Sequence, residues 1–161
     1  MIDDVTIRRA ERTELAGALR VWRAANEARG KLPDAARIKR VQEKLTDPVA
    51  LPVVAVNRDT VVGMALAEPG RADDGTGPEL PDLCHVSMVF VDPAHWGRRI
   101  GELLLAEVAE VAVHTGARRL QLWTGTRNER AQRLYRRAGF VPTGRVHDHG
   151  GEAIIQLERP L

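Results

Sequence analysis

The sequence predicts an α/β fold, a single domain over residues 1–161 built on a mixed sheet. Three observations carry that expectation. Short apolar, β-branched runs alternate along the chain with segments whose apolar residues recur every three or four positions. A length of 161 residues suits one full core. The composition, 43% hydrophobic and 29% charged, is that of a globular chain, and no repeat, low-complexity tract or linker interrupts it.

The elements follow in order. Residues 4–10 (DVTIRRA) alternate as a strand. In the next segment Leu15, Leu19 and Trp22 keep helical spacing, with Thr13 as an N-cap and Gly30 as the stop. Ile38, Val41 and Leu45 share one face of a second helix. Residues 51–69 divide into two strands at Asn57-Arg58-Asp59. The Gly-, Pro- and Asp-rich stretch 70–82 reads as a mobile loop. LCHVSMVFV, residues 83–91, is apolar on both faces and predicts a central strand covered on both sides. From Arg98 to Thr115 the spacing is helical and Gly116 closes the segment. RRLQLWT is a strand. NERAQRLYRRAG is a helix with Ala131, Leu134, Tyr135 and Ala138 on one face, and two further strands flank the turn HDHGG.

Charge and cysteine content narrow the function. With 24 Lys+Arg against 22 Asp+Glu the formal net charge is +2, and aromatic residues are 4%. Neither number supports a nucleic-acid partner. The lone cysteine, Cys84, lies in an apolar strand and is expected to be a small core residue. The opening MIDDVTIRR lacks the basic and apolar regions of a leader, and no run approaches the ~18 apolar residues that span a membrane. A cytoplasmic protein without a membrane partner is expected.

The segment from Ala94 to Leu105 (AHWGRRIGELLL) carries the first chemical signal. A strand, a glycine-bearing turn and a helix start place unpaired amides and the positive end of the helix dipole together, which favours an anion. Gly-Lys-Ser/Thr is missing, so this is not a P-loop. The dinucleotide pattern G-x-G-x-x-G with a following acid is missing too, because the next strand ends Leu122-Trp123-Thr124. The second signal is NERAQRLYRRAGF, residues 128–140. Asn128 is an N-cap there, or Thr126 and Glu129 form a capping box. Tyr135, protonated at neutral pH, is able to donate a proton.

The ordered pair resembles the GNAT superfamily of N-acetyltransferases. That family's signature is a strand ending near V-x-P, then Q/R-x-x-G-x-G/A opening a helix, and later N-x-x-A-x-x-x-Y followed by G-F. Here the matches are Val91-Asp92-Pro93, Trp96-Gly97-Arg98-Arg99-Ile100-Gly101, and then Asn128, Ala131, Tyr135, Gly139 and Phe140. Trp96 replaces the usual Gln/Arg and Arg99 the middle glycine.

The resemblance implies a mostly antiparallel sheet of about seven strands flanked by four helices and splayed between the fourth and fifth strands. It implies acetyl-CoA as co-substrate, without a metal. The pantetheine arm would pair with the backbone of Val89, Phe90 and Val91, with the Val89 amide stabilising the oxyanion. The pyrophosphate would lie on the amides of Gly97, Arg98, Arg99, Ile100 and Gly101 beside Trp96. Asn128 would lie near the pantetheine, and Tyr135 would protonate the leaving thiolate. Counting back six residues from Val91, as in some members, gives His85 as general base, with a water chain as the other option. His147 and His149 are weaker candidates. Arg99 is expected to be helical. The acceptor would be a primary amine of a small molecule or peptide, bordered by Trp22, Asn26, Glu27, Arg29 and the 70–82 loop. Homodimers are frequent in the family. A non-catalytic GNAT-fold module that binds CoA is the alternative.

Overall fold

The computed structural model describes residues 4–161. Met1, Ile2 and Asp3, part of the opening stretch read as leaderless, lie outside the described residues. Among the described residues seven strands and four α-helices succeed one another: β1 (Val5–Arg9), α1 (Leu15–Ala28), α2 (Ala35–Thr46), β2 (Leu51–Asn57), β3 (Thr60–Arg71), β4 (Glu79–Val91), α3 (Ile100–His114), β5 (Arg119–Gly125), α4 (Glu129–Arg137), β6 (Val141–His149) and β7 (Glu152–Pro160). The strands hydrogen-bond in the order β1-β2-β3-β4-β5-β7-β6. β4 and β5 are parallel, over only Leu83↔Arg119 to His85↔Gln121. β5 keeps its antiparallel ladder with β7 as far as Gly125↔Ile154. The mixed sheet and its splay after the fourth strand match the predicted architecture. No helix among the described residues is long and apolar enough to cross a membrane.

Two compact units make up the chain: residues up to Ala67 together with Met88–Val108, and Glu68–Ser87 together with Ala109–Leu161. In the first unit α1 and α2 bury Ala18, Val21, Trp22, Val41 and Leu45 against Val54, Val56, Met64, Leu66 and Met88. Arg37 lies 5.4 Å over the Trp22 ring. α1 is preceded by a 3-10 turn over Arg12–Glu14, which puts Thr13 inside that turn rather than at an N-cap. The Glu11 amide instead donates to Glu14 Oε1 at 2.8 Å. Asp34 caps α2 by accepting from the Arg37 amide at 2.8 Å, and α2 ends before Asp47-Pro48, where proline holds its neighbour extended.

Across β2 and β3 the pairing runs Ala55↔Gly63 and then Val56↔Val61, so Val62 is a β-bulge with no partner on β2. Beside it, a Cβ on Gly63 would stand 3.1 Å from both Ile100 Cγ2 and Leu104 Cδ1. Glycine therefore lets the start of α3 seat directly on β3.

The second unit corrects two expectations. Residues 70–82 are not one long loop: β3 runs to Arg71, β4 starts at Glu79, and a 3-10 turn over Asp73–Gly75 joins them. Gly70 acts there as a packing residue, since a Cβ on it would lie 2.2 Å from Leu83 Cγ. β4 is also not closed on both faces. Cys84, Val86 and Met88 are buried while His85, Ser87 and Val89 are half-buried. Burial pushes the Cys84 thiol up to about 11, as expected of a core residue. Gly150 and Gly151, both at positive φ, turn β6 into β7, a tighter connection than the pentapeptide HDHGG.

Two predictions follow from these contacts. Gly63→Val should lower unfolding free energy by about 2 kcal/mol in urea titrations, because its methyls have no room against Ile100 and Leu104. The second concerns Glu14, whose carboxylate receives both arms of Arg8 at 2.6 and 2.8 Å. That hydrogen bond holds the Glu14 carboxyl below its ordinary range. A depressed folded-state value gives stability that is present above about pH 4.3, the ordinary glutamate value, and lost as pH falls through the folded value. Wild type should therefore be more stable than Glu14→Gln at neutral pH, with the difference shrinking toward zero on acidification.

Candidate active site

The first unit contributes a strand, a turn and a helix start. Val89 and Val91 are half-buried on β4, whereas the Phe90 side chain packs against the α1–α2 core, leaving Phe90 its backbone for any ligand. After Val91, Asp92 caps a 3-10 turn over Pro93–His95, its Oδ1 accepting from the Ala94 amide at 3.0 Å. Proline at the first position suits such a turn. The Asp92 amide donates to the Val62 carbonyl at 2.8 Å, and its Oδ2 receives Arg20 Nη1 at 3.3 Å. Trp96 is half-buried, and its indole N–H donates to the Val91 carbonyl at 2.8 Å. Sequence reasoning placed Trp96 beside a pyrophosphate; the structure shows it closing the turn on itself.

Gly97 and Arg99 have φ of +81° and +60°. The expectation of a helical Arg99 is thereby corrected. α3 begins one residue later, at Ile100, and Arg99 occupies a left-handed backbone that glycine would adopt without cost. Its carbonyl accepts from the Leu103 amide at 3.3 Å, making it the residue before the first helical turn. With no side-chain acceptor of its own, Arg99 cannot cap the first amides, which by helix geometry have no intrahelical partner. Gly97, Arg98 and Arg99 are exposed, Ile100 and Gly101 buried. A Cβ on Gly97 would meet nothing within 4 Å, so the outer side of the turn is open. The Arg99 side chain points outward, 75% exposed, 4.0 Å from Glu102. An open, cationic turn at a helix start favours an anion such as a phosphate group.

The second unit holds the remaining candidates. Asn128 caps α4, its Oδ1 accepting from the Ala131 amide at 3.2 Å, so the N-cap applies and the Thr126–Glu129 box does not. Tyr135 is half-buried on the apolar stripe of α4 and meets Phe140 edge to face at 6.0 Å. His85 is half-buried beside Gln121. His147 lies within β6, not in a turn. Its Nε2 is 2.7 Å from Asp74 Oδ2 and its ring stacks on Trp123 at 4.8 Å. Arg145 also donates to Asp74 Oδ2, at 2.6 Å. His147 is thus committed to the β3–β4 turn, while His149 is exposed. Of the residues expected to border an acceptor, Trp22 and Asn26 are core residues at 2% and 1% exposure. Asn26 Nδ2 donates back to the Trp22 carbonyl. Glu27 and Arg29 are exposed.

Sequence reasoning missed Arg20 and Asp92. Asp92 had a legible signal, an N-cap residue immediately before proline; Arg20, 72 residues away from it, had none. Because a left-handed non-glycine residue costs about 1–2 kcal/mol, Arg99→Gly should raise stability. The gain should be up to about 1 kcal/mol after the extra chain entropy of glycine, read by urea unfolding.

Comparison with known proteins bears on the family and the fold. A model of the Acetyltransferase (GNAT) family matches residues 16–140. Mycothiol acetyltransferase of Rhodococcus jostii is 32% identical over 109 residues, 68% of this chain and 29% of that protein. The chain spans under a third of the length of the first curated relatives it matches. Among solved structures, the ribosomal-protein-S18-alanine N-acetyltransferase of Escherichia coli superposes with a TM-score of 0.77 at 19% identity, covering 97% of this chain and 93% of that one. PaiA N-acetyltransferase of Thermoplasma acidophilum in complex with coenzyme A gives 0.70 at 17%, covering 98% and 99%. With the family model matching most of its length, the chain belongs to the GNAT acetyltransferase family.

Proposed function

We propose that the chain transfers the acetyl group of acetyl-CoA to a primary amine of a small molecule or peptide. The observation that carries this reading is the Val91–Gly101 segment: a strand end, an open turn with two left-handed residues, and a helix start. Backbone amides there suit a pyrophosphate, and Arg98 and Arg99 add positive charge. Family membership supports acetyl-CoA as the donor.

The residues divide the chemistry between them. The backbone of Val89 to Val91 orients the pantetheine arm and the Val89 amide donates to the developing oxyanion. Asn128 lies along the arm, using the side-chain N–H that its capping role leaves over. His85, or a water chain, takes a proton from the substrate ammonium. The free amine forms a C–N bond as the C–S bond breaks. Tyr135 gives its phenolic proton to the departing sulfur and regains one from the nitrogen that has been acylated. The net products are an amide, CoA thiol and one proton released through the base.

The non-catalytic alternative drew its motive from Arg99 in the glycine slot. Because Arg99 keeps a left-handed backbone, the turn survives the substitution, and that favours the enzyme. The test is chromatographic measurement of free CoA across a panel of amines, alongside calorimetry of CoA binding. Tyr135→Phe should lower kcat by about 100-fold while leaving the Kd for CoA within about twofold. Equal turnover would remove Tyr135 from the mechanism. CoA binding without turnover on any amine favours the module, and absence of both overturns the proposal.

A further inference from the structure

We propose that Arg20 and Asp92 are positioning residues that hold the phosphate-binding turn in its left-handed conformation, an inference that rests on the acetyl-CoA reading above. Neither residue belongs to the motif. Left to local preferences, the turn would relax, because Arg99 at φ +60° is a conformation that an L side chain avoids. Such a residue persists only where its surroundings over-determine it. Gly97, Arg98 and Arg99 are exposed, so the constraint has to come from the ends of the turn.

Both ends are tied to three consecutive residues of β3. At the far end Ile100 and Leu104, 1% and 0% exposed, seat α3 on Gly63. At the near end Asp92 donates its amide to the Val62 carbonyl at 2.8 Å, using the residue that the bulge leaves unpaired with β2. Arg20 completes this end. Its Nη2 donates to the Val61 carbonyl at 2.5 Å and its Nη1 to Asp92 Oδ2 at 3.3 Å. One guanidinium therefore locks the strand and the start of the turn together. The other Asp92 oxygen starts the 3-10 turn at Ala94, and Trp96 fastens the end of that turn back onto the Val91 carbonyl. The fork of arginine matters more than its charge, since a lysine cannot reach two acceptors in fixed geometry. The Arg20 and Asp92 side chains are 49% and 21% exposed, and an ion pair so placed contributes little to global stability. The consequence should fall on ligand binding instead.

The experiment measures CoA affinity by calorimetry and steady-state constants for acetyl-CoA in Arg20→Met, Arg20→Lys and Asp92→Asn, with melting temperatures as a control. Arg20→Met should weaken CoA binding and raise KM for acetyl-CoA by about tenfold, leaving kcat at saturation within about twofold and the melting temperature nearly unchanged. Arg20→Lys should be intermediate. The pair Arg20→Met with Asp92→Asn should be no weaker than the worse single variant, because both act through one link. A folded Arg20→Met with wild-type CoA affinity overturns the inference, as does a loss confined to kcat. Should Arg20→Met not fold, wild-type affinity in Arg20→Lys overturns it equally. If the wild type binds CoA and all variants bind alike, this inference alone fails. If the wild type does not bind CoA, the acetyl-CoA reading fails and takes this one with it.

Discussion

Between Ala55 and Val56 the ladder of β2 with β3 slips by one residue, and Val62 is left without a partner on β2. That slip frees its carbonyl for the Asp92 amide and sets Gly63 where α3 needs a bare backbone. A regular ladder would spend the Val62 carbonyl within the hairpin, and a side chain at 63 would push the helix start away. The bulge and the glycine beside it thus tie the end of β4 and the start of α3 to adjacent residues of β3. The chemistry assigned to the turn depends on this irregularity more than on any side chain in it.

Arg99 shows what such anchoring permits. Glycine is favoured at left-handed positions because it has no Cβ, and most chains that need the conformation use it. Here the anchors at both ends hold an arginine there, and the backbone keeps its shape at a local energetic cost. In exchange the turn gains a cation that glycine cannot supply. The same unit shows a second economy: Asp92 serves one backbone amide, one guanidinium and, through its own amide, a neighbouring strand.

Much of the fold was legible in the residues. Most of the strands and helices follow from periodicity because they bury one face, although β6 is exposed throughout, and helix ends at Gly30, Gly116 and Gly139 coincide with positive φ. The failures share one cause, tertiary context. Gly70 was taken as punctuation when it serves close approach to Leu83, so a hairpin was read as a loop. His147 was taken as a turn residue because its partner Asp74 lies 73 positions away. For the candidate site, the resemblance to the GNAT motifs brought out Trp96 to Gly101, Asn128 and Tyr135. What spacing could not carry was the backbone angle of Arg99, where helical propensity argues for the opposite conformation, or the reach of Arg20 from α1.

Cys84 gives the molecule a practical property. It is the one sulfhydryl in the chain, 2% exposed, and its ionisation is pushed far above neutrality. The thiolate is the form that attacks thiol reagents, so a buried, protonated Cys84 leaves the folded protein nearly silent toward them. Colour developed by an aromatic disulfide during turnover would then come from released CoA alone. A slow rise without donor would in turn count molecules that have opened, making the same reagent a gauge of unfolding.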